Sequence, residues 1–65
     1  MLKADVIQFF GGRELVAHAL DISGGAVEKW PNKLTSTLAA KVFAAAIQRF
    51  GVKATRKAFP EMFEA

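Results

Sequence analysis

The stretch RELVAHALDISGGAVEKW, residues 13–30, lies between Gly11-Gly12 and Pro31 and carries two apolar helical patterns too close together to be one helix. Val16, Ala19 and Leu20, flanked by Leu15, repeat with a helical period as far as Asp21. Ser23 is a good N-cap for a second segment of about two turns, with Val27 and Trp30 three apart, before Pro31 prevents an ordinary continuation. The residues between these patterns cannot all be helical, so the chain has to turn a tight corner there. A chain of 65 residues is a single domain, here spanning 1–65, and its small core has to be built around that corner.

The rest of the chain is helical in period as well. Leu2, Val6, Phe9 and Phe10 share one side of a first helix over roughly residues 2–10, which Gly11-Gly12 stop. After the turn residues Pro31-Asn32-Lys33, the segment TSTLAAKVFAAAIQRF places Ala39, Val42, Phe43, Ala46, Ile47 and Phe50 on one broad face. Gly51 closes it. VKATRKAF adds a last short helix, because Pro60 disfavours the α conformation at Phe59. No strand alternation or repeat is present, so the expected fold is all-α, a bundle of about five short helices.

Composition narrows the function. There is no cysteine and one histidine, His18, so neither a disulfide framework nor a zinc cluster can staple the fold, and no metal or cofactor is expected. A 52% hydrophobic content beside a net charge of +3 suggests surplus apolar surface next to a positive face, which points to binding rather than turnover. No uncharged run approaches a membrane span, and Lys3 with Asp5 interrupts a signal-peptide reading, so a cytosolic protein without a membrane or small-molecule partner is expected. His18, Asp21 and Ser23 are the residue types of a hydrolase triad but are strung along one helix and its turn, and the carboxylates Glu61 and Glu64 have no defined pocket.

Two short helices joined by a tight turn match the helix-turn-helix of DNA-binding domains. In that arrangement Ala17 sits where the two helices approach closely, Ile22 plugs the turn into the core, and Val27 with Trp30 anchors the second helix from below. The second helix is thereby projected outwards, and its width of about 10–12 Å suits the major groove of B-DNA.

The segment DVIQFFGGRELVAHALDISGGAVEKWP resembles the amino-terminal half of the Cro repressors of lambdoid phages and of the related YdaS-type proteins, which read A-x-A-L-G-I-S-x-x-A-V-x-x-W. GVKATRKAFPEMF is similar, more loosely, to the closing segment of many YdaS-like chains. The resemblance implies a lambda-repressor-like architecture and a small repressor, often dimeric, encoded by a phage or prophage and acting by operator occupancy. Some Cro-type proteins end in a β-hairpin, but the alanine-rich segment 38–47 favours the helical form here. Two positions depart from the pattern: Asp21 replaces the usual turn glycine, and Gly24-Gly25 opens the reading helix without side chains. The glycines either allow close backbone approach to DNA or weaken the reading head.

The expected base-reading residues are Ser23, Gly24, Gly25, Glu28, Lys29 and Asn32. Lys29 can reach guanine O6 or N7, Glu28 can accept from cytosine N4, and Asn32 can pair with adenine or hold a phosphate, while Ser23 doubles as the N-cap. Helix two starts after Gly12 without a capping side chain, which leaves its first amides for a phosphate, and Arg13 and Lys33 would flank the groove as backbone clamps. Lys53, Arg56 and Lys57 form a less specific basic cluster. Leu38, Ala44, Ala45, Phe59, Met62 and Phe63 are the expected dimer surface, giving a weak homodimer whose natural target is a pseudo-palindromic duplex operator. The alternative is an antitoxin-like or protein-interaction module that keeps the helix-turn-helix fold.

Overall fold

The computed structural model describes residues 1–63, so Glu64 lies outside the described residues. Its order is α1 (Lys3–Phe10), α2 (Arg13–Leu20), α3 (Gly24–Glu28), α4 (Ser36–Phe50), α5 (Val52–Ala58) and a closing 3-10 turn, Pro60–Phe63. The all-α fold expected from the sequence is present, and the stop signals act where they stand. Gly11 adopts φ 101° and ψ 7° as it ends α1. Its amide donates to Ile7 O at 3.0 Å and that of Gly12 to the same oxygen at 2.9 Å. The α4 start is set by Thr35, whose hydroxyl accepts from the Leu38 amide at 3.2 Å.

Helix three is shorter than its sequence pattern suggests. It spans five residues, Gly24–Glu28, with Lys29 as C-cap, and Trp30 lies beyond it. Two glycines supply little helical preference, and the residue before a proline is driven out of the α region. The free carbonyls at its end are met by an unexpected partner. Lys3 Nζ donates to Glu28 O at 2.6 Å and lies 3.5 Å from Trp30 O.

The same end of the chain holds the segment after Pro31. Leu2 and Lys33 form an antiparallel bridge. The Lys3 amide donates to Asn32 O at 2.8 Å, and the Leu34 amide donates to Met1 O at 3.0 Å. Residues 32–34 are therefore fixed against the start of α1 rather than forming a simple turn. Leu34, which shows no helical period, enters the core at 7% exposure.

The core combines Val6, Phe10, Val16, Ala17, Val27, Leu34, Ala39, Val42, Ala46 and Phe59. Ala17 and Val27 are buried anchors, as the sequence pattern requires. Two other expectations are corrected. Ile22 is 39% exposed and does not plug the turn into the core. Trp30 is half-buried and packs on the core from its edge, because α3 ends two residues before it.

Phe59 also departs from expectation: at 2% exposure it belongs to the core and not to a dimer surface. Its amide donates to Thr55 O at 2.8 Å, which turns the ring inward as α5 ends. The ring meets Phe9 edge-on at 5.2 Å between centroids, and Phe50 contacts both Phe9 at 4.7 Å and Phe10 at 5.3 Å. Met62 and Phe63 are half-buried. Phe63 packs against Phe43 at 5.0 Å and under the Arg56 guanidinium at 4.7 Å.

Burial ranks the two aromatic anchors. Phe59→Ala is expected to cost about 3–5 kcal/mol, enough to unfold much of so small a domain, whereas Trp30→Ala at a half-buried site is expected to cost roughly half of that. Urea melts followed by circular dichroism check the order. A Trp30 variant less stable than the Phe59 variant would contradict this packing.

Candidate nucleic-acid interface

The corner between α2 and α3 is closed by backbone geometry. Asp21 takes φ 57° and ψ 46°, the left-handed conformation that a glycine would adopt more easily. Its amide donates to His18 O at 3.2 Å, and the Ile22 amide donates to Ala17 O at 3.0 Å. These bonds satisfy the Ala17 and His18 carbonyls in the last turn of α2 and point the chain away from the helix axis. Ser23 then caps α3, its hydroxyl accepting from the Ala26 amide at 3.1 Å.

With Val27 fully buried, the opposite side of α3 faces outward. Ser23, Gly25, Glu28 and Lys29 are exposed and Gly24 is half-buried. Asn32 is exposed but lies outside α3, in a shallow cleft with Leu2, Lys3, Ala4 and Ile7. Its backbone is held by Lys3. Together with its caps, Ser23 and Lys29, α3 thus brings together five of the six expected base-reading positions, while Asn32 lies beside α1.

Of the expected phosphate contacts, Gly12 is the N-cap of α2 at φ 149° and no side chain caps that helix. The Val16 amide bonds back to Gly12 O at 3.2 Å, so the amides of the first turn precede the intrahelical ladder. Lys33 is exposed on the segment bridged to Leu2. Arg13 is engaged: its Nη1 donates to Glu28 Oε2 at 2.8 Å, and its Nη2 lies 3.5 Å from Glu14 Oε1. The pair is open to water, with side-chain exposures of 45% for Arg13 and 67% for Glu28.

Two participants escape the sequence pattern. Lys3 is far from Glu28 in sequence and reaches α3 only through the tertiary fold. Glu14 covers the first residue of α3, since a Cβ placed on Gly24 would lie 2.6 Å from Glu14 Oε1. A charge at the second position of a helix gives no hint of such a neighbour.

The Ser23 hydroxyl is committed to its helix cap, and His18 is exposed beside Ala19, Ala45, Gln48 and Arg49. Among the described residues no cluster of three or more His, Cys, Asp or Glu side chains is arranged to hold a metal ion. No helix among them is long and apolar enough to cross a membrane.

The family model described as the DNA-binding transcriptional regulator Cro matches residues 2–42, a span holding α1, α2, α3 and the first half of α4. No curated protein and no solved structure matches the chain. The matched span covers more than half of the sequence and contains the whole corner, the Ser23-capped α3, Arg13 and Lys33. The chain belongs to the Cro family of DNA-binding transcriptional regulators.

Proposed function

We propose that the protein is a sequence-specific repressor of Cro type, of phage or prophage origin, which acts in the host cytoplasm by occupying an operator. The observation that carries this reading is the outward face of α3, held by a closed corner and flanked by Arg13 and Lys33. Gly24, Gly25, Glu28 and Lys29 read base edges, with Ser23 at the cap and Asn32 at the margin. The Gly12 end of α2, Arg13 and Lys33 hold phosphates.

Phosphate holders and base readers respond differently to mutation. Lys33→Ala is expected to weaken binding to all duplexes alike and to reduce the salt slope by about one unit; Arg13→Ala does the same by up to about one unit. Lys29→Ala is expected to change which sequences are preferred. Titration against selected and scrambled duplexes at several salt concentrations separates these cases, and a sequence preference that moves with Arg13 but not Lys29 would reverse the assignments.

The paired glycines admit a direct test as well. Gly25 has open space around it, the nearest heavy atom to an added Cβ being Ser23 Oγ at 3.9 Å. Gly25→Ala is therefore expected to stabilise the fold by about 0.5–1 kcal/mol. If the glycine serves close approach to DNA, the same variant loses affinity while its melting temperature rises. Unchanged affinity would remove that role.

The reading includes pairing of two copies on a pseudo-palindromic operator. Leu38, Ala44 and Ala45 line an open groove of about 500 Å³ that Ile22 and Trp30 continue toward α3. This groove replaces the tail as the apolar surface available for a second copy, and it is also what favours the protein-interaction alternative. Two copies bound across neighbouring major grooves would set their reading helices about 34 Å apart. Sedimentation is expected to show a monomer or weak dimer alone and two copies on a full-site duplex, with Ala44→Glu abolishing the second copy. A strict one-to-one complex on the full site would overturn the pairing.

A further inference from the structure

The Arg13–Glu28 pair joins the residue best placed to hold a phosphate to the one acidic side chain on the outward face of α3. Glu14 adds a second carboxylate to the same guanidinium at 3.5 Å. A duplex approaching α3 meets a cation that is already neutralised and two carboxylates that repel phosphate. We propose that DNA binding proceeds by ion-pair exchange: Arg13 leaves Glu28 for a phosphate, and Glu28 acts as a discriminating residue against DNA that offers it no replacement donor. The inference rests on the DNA-binding reading of α3 and adds to it a function for the acidic partner.

The two charges of the pair fare differently when a duplex arrives. In the free protein both ends of the pair are exposed, so the bond is weak and opens without disturbing the core. On the duplex, Arg13 exchanges one oxygen anion for another and loses little. Glu28 loses its partner while water is being excluded from the interface, and an unpaired carboxylate there is unfavourable. A base-edge amine, such as cytosine N4, restores a donor to it. The exchange is thus nearly neutral on a matching site and costly elsewhere. Glu14 remains exposed over Gly24 and can turn into water, so the discrimination falls mainly on Glu28.

The test compares wild type, Glu28→Gln, Arg13→Ala and the double variant for binding to a labelled random-sequence duplex and to a duplex selected from a random pool. Thermal melts of each protein run alongside. Glu28→Gln is expected to bind random duplex about threefold to tenfold more tightly, with a smaller gain on the selected duplex and little change in melting temperature. The gain on random duplex should shrink when Arg13 is also replaced, because no pair then has to open. An equal gain in both backgrounds would mean that Glu28 acts only by general repulsion, and would overturn the exchange. No gain on random duplex would overturn the discriminating role. Wild-type protein that binds neither duplex at low salt would refute the DNA-binding reading itself, a result distinct from both.

Discussion

The two amide bonds that close α2, from Asp21 and Ile22 back to His18 and Ala17, set the direction in which α3 leaves. They require a left-handed backbone at Asp21, a conformation that costs an L-residue about 1–2 kcal/mol and an aspartate somewhat less. Given that direction, Val27 falls into the same core as Val16 and Ala17, and the outward residues of α3 are left in water. A five-residue helix opening with two glycines has no stability of its own. It exists because the Ser23 hydroxyl accepts from the Ala26 amide, Val27 is buried, and Lys3 donates to the last carbonyl, that of Glu28. Helix α3 is consequently a product of tertiary structure.

That dependence explains which parts were legible in the amino-acid sequence. Glycines and prolines act locally, so the ends of α1 and α4 and the existence of the corner could be read directly. Ala17 and Val27 follow from helical spacing, and both are buried. The extent of α3 could not be read this way, because the apolar spacing of Val27 and Trp30 looks helical whether or not the backbone continues to be. Ile22 follows a left-handed residue, and its direction depends on a turn geometry that apolarity does not encode. Lys3, Leu34 and Phe59 owe their roles to partners distant in sequence: a helix end, the chain start and an aromatic cluster. Of the candidate site, the outward face of α3 was legible, whereas the ionic contacts of Arg13 with Glu14 and Glu28 were not.

Apolar surplus in a chain this short has to be covered somewhere, and the aromatic rings of its two halves cover one another in part. Phe9 and Phe10 from α1 meet Phe50 at the end of α4, and Phe59 closes on Phe9 from beyond α5. The edge-on arrangement of these rings allows four aromatic side chains to share a small volume. Phe10 and Phe59 are thereby buried, while Phe50 keeps an exposed edge, and alanines contribute much of the apolar surface beside α4. Small side chains at 19, 26, 44 and 45 shape the groove between α2, α3 and α4, with Ile22 and Trp30 on its α3 side. A shallow apolar groove of this kind suits a weak, reversible contact better than a permanent one, since it offers area without deep interlocking.

Electrostatics around α3 follow the same economy of partners. Lys3 and Arg13 are committed inside the molecule, one to carbonyl oxygens and the other to carboxylates, while Lys29 and Lys33 stand exposed on either side of Pro31. Dissolved salt then acts in two opposing ways. In the proposed complex it weakens the attraction of Lys33 for phosphate, and it also loosens the exposed Arg13–Glu28 pair, which frees Arg13 for the duplex. The second effect offsets part of the first, so affinity declines with salt less steeply than a count of the cations around α3 implies.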